Sequence, residues 1–585
     1  MPVIDPQRIS DGFISLERGI DAGKAPSMLP RNQASFAVNV TMRGGYVKTR
    51  PAFNNIPLDF TAYEQSEAEA MQANFQTGKF QGAYNYQFGR NSYLVCAIGG
   101  YIYRVDARTG EVHDITPKKE GGVEADINPP DIPYFFFQQA EQYLIIQDGN
   151  SLPIIYNGAT CRRSNLGNSE VPVGTAMAYG NGRLWVAKGR EFAAGDIVNG
   201  PTEVIQFTEN TYIAEGGAFA VPLNTGNITA LKFTSQPDSS LGQGELLVHT
   251  NEAIFAVNVP TSRDDWKNVN YPAVRIVAIS YGSVSDRSCT LVNGDMFYRS
   301  TDGIRSYISS RREWQEYGQV PNSREITPIL APEQLTSYAQ LASSVLFDNR
   351  LLTTVTPNTN SSQGIFFKGL AALDFDLVGG MGEKSPPAWE GLWTGLNFLQ
   401  LITARVEGED KCYSMVLDGN CRIQLWEITK DGKKDNNSTP IECYVETKSY
   451  AFENPFELKK LEYGEMWVDQ LEGEVDFDIK YKPNQYPAWV DWTVFTECAK
   501  TENCDPPAGS CLTFNNYKPQ YRSRRRLSQP EDSCESTNNA PMRNGYELSA
   551  RIGWTGQARL KGFRMHAYPV IEEPYGDCTE FGACS

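Results

Sequence analysis

Histidine is scarce in this sequence, whose 585 residues include only His113, His249 and His566. Histidine is the usual general base at neutral pH, so its scarcity leaves little material for proton-transfer chemistry. Each of the three lies in a strand-like or turn context without a nucleophile motif beside it, and the sequence contains no G-x-S-x-G elbow. We therefore expect three structural histidines and no enzymatic activity.

Long apolar runs are also missing. No stretch approaches the ~18 consecutive apolar residues that a membrane helix needs. The first residues, MPVIDPQRISDGF, include neither the basic region nor the apolar region of a secretory signal. These absences predict a chain without an integral membrane segment that is made and folded in a cytoplasm.

Positive charge is in deficit, with 53 basic against 70 acidic side chains and a formal net charge of −17. Nonspecific nucleic-acid affinity comes from Lys and Arg that displace counterions from phosphates. The total therefore argues against a protein whose main task is to grip DNA or RNA, although it is compatible with a local basic patch.

The sequence also lacks metal and phosphate motifs. None of the 12 cysteines forms a C-x-x-C pair, so we expect no structural zinc site and no cofactor. The stretch Gly19 to Lys24 is one residue too short between its glycines for a phosphate loop, and Ala25 replaces the Ser or Thr that would hold magnesium. Half of the cysteines crowd the C-terminal part, and they are either free thiols or, as a hypothesis, disulfides formed after release from the cell: Cys498, Cys504, Cys511, Cys534, Cys578 and Cys584.

Short apolar and aromatic runs separated by turn residues dominate from about residue 80 to residue 428. One helix of about three turns is predicted at Thr61 to Asn74. The pattern predicts an all-β chain with a β-propeller of about six to eight blades, and a pair of stacked β-sandwiches is the alternative. The following turn pairs should supply the positive φ of tight hairpins: Asp148-Gly149, Asn157-Gly158, Asn181-Gly182, Asn293-Gly294 and Asp418-Gly419.

We divide the chain into an N-terminal extended arm and hairpin (1–60) packing on a platform, the propeller (61–430), and a C-terminal antiparallel β-sandwich or platform domain (431–585). The last part contains a Cys- and Pro-rich insertion at 498–539, which we interpret as a loop. Its basic cluster in a chain of net charge −17 is a candidate docking point for another copy: Arg522, Arg524, Arg525 and Arg526.

The arm from Arg18 to Phe53 is the most informative stretch. Pro26 and Pro30 favour non-helical backbone, and Gly44-Gly45 predicts a hairpin between VNVTM and YVKTR. Its pattern resembles the opening of the tail nozzle or hub proteins of short-tailed bacteriophages. The residues that carry the resemblance are Leu29, Pro30, Gln33, Asn39, Gly44, Gly45, Arg50 and Pro51.

Later segments resemble the same family in the same order. They are Tyr143 to Gly158, the stretch GRLWVA around Trp185, and Arg551 to His566 with Trp554 and Gly556. These are structural turn motifs rather than catalytic signatures.

The resemblance implies a structural virion component of the phage tail, assembled in the host cytoplasm. Such proteins form a homo-oligomeric ring, typically six-fold, below the portal, with propellers around a DNA channel. The implied partners are the adaptor or head-to-tail connector, tail fibre or spike proteins, and viral double-stranded DNA, which is retained and then conducted during ejection. An acidic chain suits such a passage, so carboxylates should outnumber Lys and Arg on the channel surface.

A propeller that binds or cleaves a host-surface glycan is the alternative, because paired carboxylates are compatible with this composition. The segment Ser300 to Gly303 is a near miss to the sialidase Asp-box, since its aspartate and glycine are adjacent. We interpret it as a polar hairpin turn.

Overall fold

The computed structural model divides the chain into two compact units. The platform unit comprises 1–52, 373–393 and 431–585, and the propeller unit comprises 53–372 and 394–430. The structure describes residues 8–119, 121–198, 200, 203–208, 218–235, 244–260, 262–268, 273–279, 281–308, 320–330, 336–358, 364–376, 387–484, 486–498, 522–530 and 543–570.

Five short strands begin the chain: β1 (Ile9–Phe13), β2 (Phe36–Val38), β3 (Val40–Thr41), β4 (Val47–Thr49) and β5 (Phe53–Ile56). The predicted hairpin is confirmed, because β3 pairs antiparallel with β4 and both Gly44 and Gly45 have positive φ, of 78° and 80°. The helix predicted at Thr61 to Asn74 is also confirmed as α1 (Gln65–Thr77), which buries Met71 and Phe75.

The propeller unit contains five separate antiparallel sheets, four of four strands and one of three. The first two are β6 (Phe80–Phe88), β7 (Asn91–Ile98), β8 (Tyr101–Asp106) and β9 (Val112–Asp114), then β10 (Phe136–Ala140), β11 (Tyr143–Gln147), β12 (Ile154–Tyr156) and β13 (Cys161–Arg163). The next two are β14 (Ala176–Gly180), β15 (Arg183–Lys188), β16 (Glu191–Ala194) and β17 (Ala218–Ala220), then β18 (Ile228–Phe233), β19 (Leu246–Thr250), β20 (Ala253–Val257) and β21 (Val274–Ile279). The fifth is β22 (Thr290–Val292), β23 (Asp295–Arg299) and β24 (Ile304–Ser306).

Successive sheets pack face to face as propeller blades. One buried cluster joins the first sheet to the second through Leu144 and Tyr156, and another joins the third to the fourth through Trp185 and Phe255. Tight turns inside the blades have the predicted positive φ at Gly149, Gly158, Asn181-Gly182 and Asn293-Gly294. At Asp418-Gly419 the positive φ falls instead on Cys421.

Six further strands follow the fifth blade: β25 (Ser344–Phe347), β26 (Arg350–Asn358), β27 (Phe366–Asp374), β28 (Ala388–Val406), β29 (Glu409–Leu417) and β30 (Ile423–Ile428). Two helical turns precede them, α2 (Thr327–Leu330) and α3 (Thr336–Ala339). Strand β5 pairs with β30, β30 with β29, and β29 with the second half of β28, and this group shares a buried core with the first blade.

The all-β propeller is thus confirmed. The separate blades in the described ranges number five, below the predicted six to eight. The strands after Ser306 are joined into one large sheet rather than closing sheets of their own, which lowers the count.

The platform unit is a large curled sheet completed by β31 (Glu442–Glu446), β32 (Lys459–Pro483), β33 (Val490–Cys498), β34 (Arg522–Leu527), β35 (Asn544–Gly545) and β36 (Leu548–Pro569). Strands β32 and β36 form a long antiparallel ladder whose register shifts four times. Such bulges increase twist and bend the strands.

The loop interpretation of 498–539 was wrong for its basic cluster. Arg522, Arg524, Arg525 and Arg526 lie in β34, which pairs with Gly464–Asp469 of β32. The partner strand lies more than fifty residues earlier in the chain, so local sequence carried no sign of it. Residues 499–521 and 531–539 of the insertion lie outside the described residues.

No helix in the part of the chain that the structure describes is long and apolar enough to cross a membrane.

Candidate functional site

The arm residues singled out by sequence form a buried network in the platform unit. Arg50 is 1% exposed and its guanidinium makes a bidentate pair with Asp435, at 3.0 Å from Nη1 to Oδ1 and 2.9 Å from Nη2 to Oδ2. Arg50 Nη1 also donates to the carbonyl of Pro51 at 2.9 Å, and Nε donates to Asn39 Oδ1 at 3.0 Å. A buried guanidinium is stable only when its donors are satisfied in this way.

Asn39 holds the other side of the network. Its φ of 56° lies in the left-handed region, which Asn tolerates better than most residues. Its side-chain amide donates to the carbonyl of Glu442 at 2.9 Å, and its backbone carbonyl accepts from Arg50 N at 3.0 Å. The Asn39 side chain therefore ties the arm to β31, and its main-chain carbonyl ties it to Arg50.

Thr49 links the arm to the C-terminal strand. Trp554 Nε1 donates to Thr49 Oγ1 at 3.0 Å, and the Thr49 hydroxyl donates to the carbonyl of Gly556 at 2.8 Å. Gly556 has φ of 115°, and a Cβ there would lie 3.2 Å from the carbonyl oxygen of Glu474. Motif residues from the two ends of the sequence thus meet in one hydrogen-bonded group.

Two carboxylates of the segment Leu373–Trp393 also bind residues of the arm. Asp374 is fully buried and pairs with Arg43, at 3.0 Å to Nε and 2.8 Å to Nη2. Glu390 is 1% exposed and accepts from the Thr41 hydroxyl at 2.5 Å and from Met42 N at 2.9 Å. Sequence reasoning missed Asp374, Glu390 and Asp435, because no motif marks these three among seventy acidic residues.

The remaining motif residues have separate structural roles. Leu29 and Gln33 are buried, and the Pro30 carbonyl accepts from Gln33 N in the turn between them. Trp185 lies in the propeller unit, where it stacks on Trp266 with ring centroids 6.0 Å apart. Thr49, next to the motif residue Arg50, therefore joins the arm to Trp554 and Gly556, whereas Trp185 lies in a blade core.

One face of the platform sheet carries exposed cations around aromatic rings. Arg526 is exposed and its guanidinium carbon lies 4.1 Å from the Tyr463 ring centroid, while Arg8 lies 5.1 Å from the same centroid. Arg525 is oriented differently, with an ion pair to Glu497 at 3.3 Å and its guanidinium 4.8 Å from the Phe495 ring centroid. The Arg522 and Arg524 side chains lie outside the described residues.

A groove of about 450 Å³ lies on the same face. Its wall includes Trp467 and Ile14, which are 46% and 70% exposed, together with Arg31 and Arg564. Its floor includes Gly12. A Cβ at this position would come within 2.1 Å of the Phe563 carbonyl oxygen, so the close antiparallel pairing of β1 with β36 requires glycine here. The groove is open, amphipathic and rimmed by guanidinium groups, which suits a protein surface better than a small metabolite.

Contacts of Arg287 connect separate parts of the propeller unit. Arg287, which precedes the fifth blade, donates to the carbonyls of Gln81 and Phe135 at 2.5 Å and 3.2 Å, in the first blade and before the second. Its guanidinium carbon lies 3.8 Å from the Tyr134 ring centroid. Burial raises the pKa of Tyr134 to about 12. These contacts join blades that are not neighbours in the chain.

The three histidines lie in strands. His113 Nε2 is 3.1 Å from Glu111, and His566 stacks on Tyr463 with centroids 4.2 Å apart. His249 is fully buried beside Tyr298, and burial lowers its pKa to about 3 with the nearby Lys232 charge acting in the same direction. Burial also lowers the pKa of His566.

The Asp-box near miss is a hairpin turn, as predicted. Ser300 Oγ donates to Asp302 Oδ1 at 2.6 Å, and Asp302 also pairs with Arg305. The turn joins β23 to β24. Ser300 and Asp302 therefore have their partners within the turn and the strand that follows it.

The cysteines of the described ranges are free thiols: Cys96, Cys161, Cys289, Cys412, Cys421 and Cys443. Burial raises the pKa of Cys96 and Cys443 to about 12, which makes them poor nucleophiles and metal ligands at neutral pH. Within the described ranges no group of three metal-ligating side chains occurs. The cysteines from Cys504 to Cys584 and the Cys498 side chain lie outside the described residues, so the disulfide hypothesis stays a prediction.

No family model and no curated protein matches this sequence. Among solved structures, a chain of a mitotic checkpoint complex is 9% identical, with a TM-score of 0.34, over 61% of this chain and 91% of that one. The computationally designed Ika8 protein is 10% identical, with a TM-score of 0.30, over 60% of this chain and 97% of that one. Likenesses of this size carry no weight for fold or function.

Proposed function

We propose that this chain is a structural component of a short-tailed bacteriophage tail, a nozzle or hub that forms a ring around the DNA channel. In this role copies of the chain retain the packaged genome in the virion and conduct it during ejection. The ring contacts the adaptor above and tail fibre or spike proteins beside or below it. The chain performs no catalysis of its own.

The observation that carries the proposal is the arm network. The family-like residues of the arm and those near the C-terminal strand are about 500 residues apart in sequence, yet Thr49 binds both Trp554 and Gly556. A chance resemblance in turn motifs gives no reason for the two matched segments to meet. Their contact supports one inherited structural pattern that spans the chain.

The glycan-binding alternative finds less support in the propeller. A glycan-cleaving propeller needs a pair of carboxylates beside its substrate, whereas the groove described above lies on the platform sheet and is rimmed by Arg31 and Arg564. In the Asp-box near miss, Asp302 is likewise hydrogen-bonded to Ser300 and Arg305.

Imaging of the purified full-length protein by negative-stain electron microscopy tests the proposal, together with sedimentation to count copies. We expect closed rings, with six copies as the family resemblance implies, and a channel wide enough for duplex DNA. The reconstructed channel surface should carry more carboxylates than Lys and Arg, and duplex DNA should show no stable complex in a mobility-shift assay at physiological salt. A monomer that cleaves saccharides, or a channel lined mainly by basic residues, would overturn the proposal.

A further inference from the structure

We propose that the groove around Trp467 binds the acidic end of the platform sheet of a second copy of this chain. This inference rests on the proposed ring function and names the surfaces by which neighbouring copies meet. We call the first surface the basic face, defined by Arg8, Arg31, Arg526 and Arg564 around Trp467. We call the second the acidic end, defined by Glu474, Asp476, Asp478 and Asp491.

The basic face presents cations to a partner and keeps its acids covered. Arg8 is 44% exposed while its partner Glu462 is 25% exposed, and Arg31 is 65% exposed while its partner Asp11 is 8% exposed. Arg564 is exposed and has no ion-pair partner among the residues that the structure describes. An approaching surface therefore meets guanidinium groups rather than the carboxylates that balance them.

Strand pairing places these groups on one side of the sheet. Glu465 is opposite both Arg564 of β36 and Arg526 of β34, and paired residues of antiparallel strands share a face. The intervening residues Met466, Phe563 and Leu527 are buried on the other side. Four strands, β1, β36, β32 and β34, therefore form one broad face with Trp467 between its cations.

The acidic end lies further along β32, where it pairs with β33. Glu474, Asp476 and Asp478 alternate with the buried Val475, Phe477 and Ile479, so the three carboxylates share the outward side.

The acids at this end of the sheet are accessible. Asp478 is 48% exposed and Asp491 is 80% exposed, with Lys480 between them at 3.4 Å and 2.8 Å. Val494, which is opposite Asp478, is 72% exposed and gives this surface an apolar centre.

The two surfaces are complementary in charge, and each has an exposed apolar side chain. Trp467 and Asp476 are nine residues apart on β32, about 30 Å at about 3.3 Å per residue, and the paired strands hold the two surfaces of one copy at separate places along the sheet. Two different, complementary patches on one chain produce head-to-tail contacts, which close into a ring when the rotation between copies allows. A net charge of −17 gives copies a mutual repulsion that local basic patches can overcome.

Paired charge reversals in the full-length protein test this interface. The double variants Arg526→Glu with Arg564→Glu, and Asp476→Lys with Asp478→Lys, should each raise the midpoint concentration for ring assembly at least about tenfold. A chain that carries all four changes exchanges the two patches and should recover assembly. Matched control reversals at exposed propeller positions, Arg108→Glu with Lys119→Glu, should leave assembly unchanged.

Sedimentation velocity measures the assembly, and thermal unfolding of each variant checks that the monomer folds. Full assembly of both double variants would overturn the interface while leaving the proposed function intact. Loss of assembly that the fourfold exchange does not restore would overturn the pairing between these two surfaces. Failure of the unmodified protein to form rings at any concentration would overturn both proposals.

Discussion

The two units of this chain are stabilised over very different sequence distances. In the propeller unit, each blade is a meander of strands that follow one another, and its core is shared with the next blade. In the platform unit, the arm is stabilised by Asp374, Glu390, Asp435 and Trp554, which lie between 331 and 505 residues away from their partners.

The type of interaction differs as well. The described blade cores are mainly aliphatic and aromatic clusters, whereas the arm network depends on buried charged groups whose removal leaves an unpaired partner. Local patterning is therefore enough to build the separate blades, while the platform needs a few specific long-range pairs. Variants in each unit test this contrast.

Removal of Asp435 should damage the platform most. Asp435→Ala leaves the guanidinium of Arg50 buried without its carboxylate, which costs about 3–5 kcal/mol of unfolding free energy. Scanning calorimetry should show the platform transition moved to lower temperature with the propeller transition unchanged. Arg108→Ala, which removes an exposed ion pair to Glu407, is the control and should change neither transition measurably. A common shift of both transitions would show that the two units unfold as one.

A substitution that leaves a cavity between the fourth and fifth blades should destabilise the propeller unit and leave the platform unit unchanged. Leu247 is fully buried in the cluster that joins these blades. Leu247→Ala should therefore lower the unfolding free energy by about 3 kcal/mol. The same calorimetric scan should now show the propeller transition alone displaced, and the conservative Leu247→Met should displace it much less. An unchanged propeller transition would contradict the assigned core.

Mild acid should weaken the propeller through His249. Its folded-state pKa of about 3 lies below the ordinary value of 6.5, so the unfolded chain binds more protons between these values. The stability that neutral His249 contributes is complete above pH 6.5 and is lost as the pH falls towards 3. Between pH 7 and pH 5 the loss should be roughly 2 kcal/mol in urea unfolding. His249→Phe should abolish this part of the pH dependence, and a pH response identical to that of the unmodified protein would refute the assignment.

Local features of the fold were predictable from sequence. The arm hairpin, helix α1 and most blade turns depend on residues a few positions apart, such as Gly44-Gly45 and Asn181-Gly182, so their signals are complete within a short window. The strand at Arg522–Leu527 was missed because its partner is Gly464–Asp469 of β32. The segment Leu373–Trp393 belongs to the platform unit through Asp374 and Glu390, and the arm partners of these acids lie more than 300 residues earlier, beyond any local pattern.

The candidate site was predictable in part for the same reason. The sequence singled out Asn39, Arg50 and Trp554 through motif resemblance, but it did not reveal that Asp435 is the counter-ion of Arg50. The sequence marked Arg526 as a candidate docking point, but it did not reveal the groove at Trp467, because the groove forms where β1 pairs with β36. The contacts of Arg287 were likewise not predictable, because its partners Gln81 and Phe135 lie more than 150 residues earlier in the chain.

The long-range hydrogen bonds of the arm determine when it can fold during biosynthesis. At about 5–20 residues per second, the ribosome delivers Trp554 about 25–100 s after Arg50 has emerged. During this interval the blades can fold one after another, while the arm waits for the strands that cover it. A prematurely terminated chain has no Trp554 for Thr49 to bind, so its arm stays exposed to proteases. The arm network can therefore be completed only in a chain that has been synthesised as far as Trp554.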